Sequence, residues 1–197
     1  SCGRVHVFYS EATETACTAA LLLDVDPIQL VRGRRGGGQP GGAGPLSSYV
    51  NDRPYVASSF LSVAIAQVFG TALAGNCSQR PELASEQLPL EARLAVVPAR
   101  QGEATLHRLF EPLGYQVDVV GHELDARHAD WGPSPYFTVT LTQQTTVRQL
   151  LAHLYVLVPV LDEQKHYFVE EAEVEKLLRH GDGWLAEHPA REEIAHR

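Results

Sequence analysis

No charged side chain occurs between Tyr55 and Cys77. An uncharged run of that length has two homes, a bilayer or a protein core. A bilayer span needs about 20 strongly apolar residues. This run is diluted by Ser58, Ser59, Ser62, Gln67, Gly70 and Thr71, draws much of its apolar content from Ala, and has no Lys or Arg cluster beside it. A buried helix is therefore expected. Asn51, Asp52 and Pro54 form a turn ahead of it. Ser58 or Ser59 would cap it by accepting a bond from a free N–H of the first turn. It should reach about Ala74, with Gly75 just past the end. Phe60, Leu61, Ala64, Ile65, Val68, Phe69, Ala72 and Leu73 share one wide face, which Val63 and Ala66 extend.

The rest of the chain must supply what that helix packs against. At 197 residues there is enough for one large domain or two small ones with an ordinary core. Arg4 to Tyr9 alternates as a strand, with Val5, Val7 and Tyr9 on one face and His6 and Phe8 on the other. After a turn over Ser10–Glu14, Cys17 to Val25 reads as its antiparallel partner, closed by Pro27. Leu90 to Pro98 is a strand by its period of two: Leu90, Ala92, Leu94 and Val96. Glu103 to Leu113 is a helix with Leu106, Leu109, Phe110 and Leu113 inward, ended by Gly114. Tyr115, Val117 and Val119 begin the next strand, which suggests a strand–helix–strand crossover. Tyr136 to Leu141 is a further strand. A helix capped by Thr145 or Thr146 carries Val147, Leu150, Leu151, Leu154, Tyr155 and Val158 to Pro159, with His153 as a structural histidine. Glu171 to Arg179 is another helix, and Trp184 to Arg197 reads as a charged, linker-like end. The fold class is α+β: mixed sheets covered by helices, with one central buried helix. Residues 1–197 form a single N-terminal domain fragment, with two possible lobes, 1–89 and 90–189, and a linker helix at 190–197. A chain that opens at Ser1 almost directly into a strand and contains no Met is expected to be cut from a longer protein.

Charge narrows the function classes. The net charge of -8 argues against a free-standing nucleic-acid binder. The excess is local: residues 101–197 hold sixteen acids against eight basic groups, while residues 1–100 hold eight of each. That half is a solvated acidic surface or a patch that faces a partner. Cys2, Cys17 and Cys77 are odd in number and form no Cys-x-x-Cys, which suits reduced thiols in the cytoplasm.

Two stretches invite a chemical reading. Half of the fourteen residues from Arg32 to Pro45 are Gly. With no large apolar side chain to offset the entropy of ordering, the stretch reads as a mobile loop. It is not a phosphate loop, because no Lys-Ser or Lys-Thr follows. Arg32, Arg34 and Arg35 are nevertheless of a kind that touches RNA phosphates. The second stretch, Gly121 to Pro135, holds His122, Glu123, Asp125, His128, Asp130 and Trp131. Its spacing fits neither a helical His-x-x-x-His site nor a compact metal loop. A solvated loop pinned by Trp131 is expected, with a small metal-dependent enzyme as the alternative. The chain has no nucleophile elbow, Walker motif, Rossmann fingerprint or zinc-protease motif.

Three runs carry a family resemblance. They are His6-Val-Phe-Tyr9 with Leu21 to Gly33; Tyr49 to Leu61, with Asn51-Asp-Arg-Pro-Tyr55 its most specific part; and Asp162 to Phe168, leading to Glu175-Lys-Leu-Leu178 and Gly183-Trp-Leu185. Together they resemble the N-terminal half of the bacterial 3′-terminal RNA ribose 2′-O-methyltransferase, which works in RNA repair with a polynucleotide kinase-phosphatase-ligase. The resemblance implies that S-adenosylmethionine and a divalent metal belong to the other, C-terminal half, whose signature is Glu-x-x-Glu-His. The nearest run here, Glu192-Glu193-Ile-Ala-His196, has Ala195 in place of the second Glu. No cofactor, metal or catalytic residue is therefore expected in this fragment. The implied role is to bind the ligase portion of the partner enzyme and activate it, with RNA reached mainly through the complex and no membrane involved. The candidate contacts are Arg32, Arg34, Arg35, Asn51, Asp52, Arg53 and Tyr55. A direct RNA-binding module is the further alternative.

Overall fold

A computed structural model describes residues 3–25, 57–161 and 178–195. By contact the chain forms two units, Ser1–Tyr55 and Val56–Arg197. The joint lies before the uncharged run, whereas the 1–89 lobe read from the sequence places it after.

The described part of the first unit is a hairpin of β1 (Gly3–Ala12) and β2 (Cys17–Val25). The strands are antiparallel, with Val5 opposite Leu23 and Val7 opposite Leu21. The turn is organised by Thr13, whose hydroxyl accepts the N–H of Ala16 at 3.0 Å while its backbone N–H donates to the Ala16 carbonyl at 2.8 Å. Val5 and Val7 are half-buried, and Phe8, Tyr9 and Leu22 are exposed. Arg4 and Asp24 pair across the strands at 3.2 Å.

The second unit starts with α1 (Ser59–Val68) and the short α2 (Gly70–Leu73). Ser58 takes the N-cap position and Gly75, with φ +74°, lies past the end, as expected, but the expected cap bond from the first turn to the serine side chain is not formed. The helix is interrupted at Phe69, and its outer side is open. Ala64, Ile65 and Leu73 are buried, but Val63 is 65% exposed. The helix buried on nearly every side is instead α4 (Val147–Leu161), which sinks Ala152 to Leu154, Val156 to Val158, Val160 and Leu161. Its Leu- and Val-rich surface removes more apolar area from water than the Ala-rich α1 can. Both α1 and α2 pack on α4. A capping box starts α4: the Thr146 hydroxyl accepts the Gln149 N–H at 3.1 Å, and the Gln149 side-chain oxygen accepts from the Thr145 and Thr146 hydroxyls.

The sheet of this unit holds β3 (Leu88–Pro98), β4 (Gln116–Glu123) and β5 (Pro133–Thr145), in the order β3-β5-β4. Both outer strands run antiparallel to β5, and so parallel to each other. The expected crossover through α3 (Glu103–Phe110) thus joins parallel strands, but β5 is inserted between them. The alternation of β3 holds to Leu94, where a bulge shifts the register and brings Val97 inward in place of Val96. Val97, Leu106, Leu109, Phe110, Val139, Leu141 and Leu157 are fully buried together with Ile194. Gly114, at φ +92°, ends the turn that follows α3.

The final segment, read as a charged linker, is packed down. Ile194 in α5 (Arg191–Ala195) is 1% exposed, and Glu193 pairs with Arg108 of α3 at 2.9 Å. No helix among the described residues is long and apolar enough to cross a membrane.

Candidate functional site

The seven contact residues expected from the sequence, Arg32, Arg34, Arg35, Asn51, Asp52, Arg53 and Tyr55, lie outside the described residues, as does the Gly-rich stretch. The His/carboxylate stretch is described, and His122, Asp125 and His128 have separate local partners. His122 stands on β4, where its Nε2–H donates to the Thr138 hydroxyl at 2.9 Å. That hydroxyl donates in turn to the Ala95 carbonyl at 2.5 Å. The β3 bulge explains the chain of bonds, because it takes Ala95 out of the ladder and leaves its carbonyl for a side chain. Asp125 Oδ1 accepts the Arg127 N–H at 2.8 Å in an Asx turn. His128 lies flat on Trp131, with ring centroids 4.6 Å apart and planes 13° from parallel. Among the described residues no three His, Cys, Asp or Glu side chains converge in a way that could hold a metal ion.

Trp131 was expected to pin this stretch to the core. It does not, because it is 57% exposed. The backbone does the pinning, through Leu124 N–H to Gly132 O at 3.2 Å and Trp131 N–H to His128 O at 3.0 Å. The outcome is a built hairpin end with an exposed aromatic–histidine stack. Leu124 and Val120 are also more than half exposed on it. Glu123, Asp130 and Arg127 are exposed around them.

A second cluster escaped the sequence reading. Phe110, Tyr115, His153, Trp184 and His188 form an edge-to-face series with centroid separations of 4.8 to 6.1 Å. The Tyr115 hydroxyl shares a hydrogen bond with His153 Nδ1 at 2.8 Å. Burial, helped by the nearby His188, pushes His153 down to about 4, so it is neutral near pH 7. Burial also pushes the Tyr115 phenol up. His188 has its tautomer fixed: the Ala190 N–H donates to Nδ1 at 3.0 Å, and Nε2–H donates to the Leu109 carbonyl at 2.9 Å. These rings, buried except for the half-buried Trp184, tie the start of β4, α3, α4 and the final segment together. Their contacts with one another hold the unit.

On the surface of α3, His107 lies between Glu111 at 2.7 Å and Glu103 at 3.4 Å. The hydrogen bond to Glu111 is the main cause that raises its pKa. This is an i,i+4 arrangement on one helix face, open to water. Among the described surfaces, the β4–β5 hairpin end exposes both a Trp and a Leu.

Comparison with known proteins gives one family. The family model described as the RNA repair, ligase-Pnkp-associating region of Hen1 matches residues 1–197. No curated protein matches the chain.

Proposed function

The chain belongs to the family of the ligase-Pnkp-associating region of Hen1, a family of RNA repair, and we propose that it binds the ligase portion of a polynucleotide kinase-phosphatase-ligase and switches on RNA joining without contributing a chemical group. The observation that carries this reading is the extent of the match, which takes in the whole chain. The site geometry is in keeping with it. Of the side chains that would have served a metal-dependent enzyme, His122, Asp125 and His128 are engaged locally, and the net charge of -8 suits a protein partner better than RNA alone. Activation by contact needs only that the domain bind the RNA-joining conformation of the ligase more tightly than its other conformations. On this reading the domain works in the cytoplasm, reaches RNA through the complex, and binds neither S-adenosylmethionine nor a metal of its own. Arg32, Arg34, Arg35, Asn51, Asp52, Arg53 and Tyr55 remain proposed contacts.

The test is RNA joining by the full-length kinase-phosphatase-ligase with and without this chain. The chain should raise the joining rate, and it should co-purify with the enzyme. With the chain added at a concentration that saturates the enzyme, replacing His122, Glu123 and His128 together by Ala should leave activation within a few fold. Loss of activation with binding intact would show that those side chains act chemically, and the non-catalytic reading would be wrong. Calorimetry that shows stoichiometric S-adenosylmethionine on this chain would contradict the assignment of the cofactor elsewhere.

A further inference from the structure

Val120, Leu124 and Trp131 are 58%, 54% and 57% exposed, and all three belong to the β4–β5 hairpin and its connection. Single exposed apolar residues are ordinary, but a Trp and a Leu at one hairpin end are not. We propose that this end is the contact through which the domain grips the ligase: Trp131 and Leu124 enter an apolar notch on the partner, and Glu123, Asp125 and Asp130 meet a rim of Lys and Arg around it.

Three observations lead there. Trp is the residue type most enriched at the energetic centres of protein interfaces. Here the indole is held in advance, flat against His128 at 4.6 Å, on a backbone tied by the Leu124–Gly132 and Trp131–His128 bonds. A group already held in place loses little freedom on binding. The third observation is charge. Residues 122–131 contain three acids and one Arg, His122 and His128 aside. Such a rim repels RNA phosphates and attracts a basic protein surface, which speeds encounter and selects orientation. It also gives a use to part of the acid excess in residues 101–197. The β1–β2 hairpin also exposes two apolar side chains on one face, Phe8 and Leu22, since Leu22 pairs with His6, but it is the weaker candidate because it holds no Trp and, among the described residues, no ring stack there fixes an aromatic group in advance.

The inference rests on the proposed ligase partner, and its test separates the two. Full-length kinase-phosphatase-ligase is immobilised and titrated with the wild-type chain, with Trp131→Ala, with Leu124→Ser, and with Glu123→Lys/Asp130→Lys. The substituted side chains are exposed, so melting temperatures should stay within a few degrees of wild type, and circular dichroism checks this. Trp131→Ala should weaken binding at least tenfold. The double charge reversal should slow association at least tenfold at low salt and flatten its dependence on salt. If the wild-type chain does not bind the enzyme, the proposed function itself fails. If it binds and all the variants bind within twofold of it, only the assignment of this hairpin end is overturned. Two further outcomes would also overturn that assignment: wild-type affinity for a single-stranded RNA 20-mer that Trp131→Ala abolishes, or self-association in sedimentation that the same change abolishes.

Discussion

Acidification tests the packing around His153 directly. The residue is 5% exposed, and burial, with a smaller contribution from the neighbouring His188, holds its pKa at about 4 rather than the ordinary 6.5. In the unfolded chain the imidazole takes its proton as pH falls through 6.5; in the folded chain it resists until about 4. Between those values the unfolded state binds more protons, so stability falls as pH falls, and below about 4 this residue adds no further slope. At about 1.4 kcal/mol per pH unit, that window removes about 3 kcal/mol. Other groups titrate there too, His180 among them, whose pKa is lowered by burial and by the nearby Arg179 and Arg148. A comparison isolates His153: urea unfolding of wild type and His153→Gln at pH 7.5 and pH 4.5. Gln keeps an acceptor for the Tyr115 hydroxyl but cannot titrate. The variant should start less stable at pH 7.5 and lose about 2–3 kcal/mol less than wild type on going to pH 4.5. Equal losses, or an NMR titration of His153 centred near 6.5, would mean that the ring is open to water and the aromatic cluster is not packed as described.

Three other substitutions report on particular parts of the second unit. Ile194→Ala should cost about 2–5 kcal/mol in urea unfolding, from lost transfer energy and a cavity; a cost near zero would mean that the final segment is not docked. Gly114→Ala should cost about 1–3 kcal/mol, because φ is +92° and the new Cβ would lie 2.7 Å from the Gln143 Nε2 that donates to the Leu113 carbonyl; an unchanged melting temperature would place Gly114 in ordinary backbone. Thr146→Ala should cost about 1 kcal/mol by removing the cap of α4, and thermal unfolding that shows no change would refute the capping box.

Local periodicity carried much of this fold. Strand β3 was legible because Leu90, Ala92 and Leu94 alternate, and α3 because Leu106, Leu109 and Phe110 recur at helical spacing. Periodicity says which way a side chain points, not which strand lies alongside. The insertion of β5 between β3 and β4 was therefore invisible, and so was the bulge that exchanges Val96 for Val97. Pattern also overrated α1, where Val63 completes an apolar circumference that the fold does not use. The final segment was misread for the opposite reason: Trp184, His188 and Ile194 are sparse among charges, yet each meets a buried partner supplied by α3 or α4 or is itself buried. Function was less legible than fold, and the cause is physical. Chemistry restricts residue types and spacing, so a catalytic site leaves a motif. An activating contact needs only surface, shape and a difference in affinity between two states of its partner, and a tenfold shift takes only about 1.4 kcal/mol of that difference. One exposed indole with a few acids around it can supply that much. In a linear sequence such a group is a Trp in a polar loop, and Trp131 accordingly read as an anchor until the structure put it on the surface.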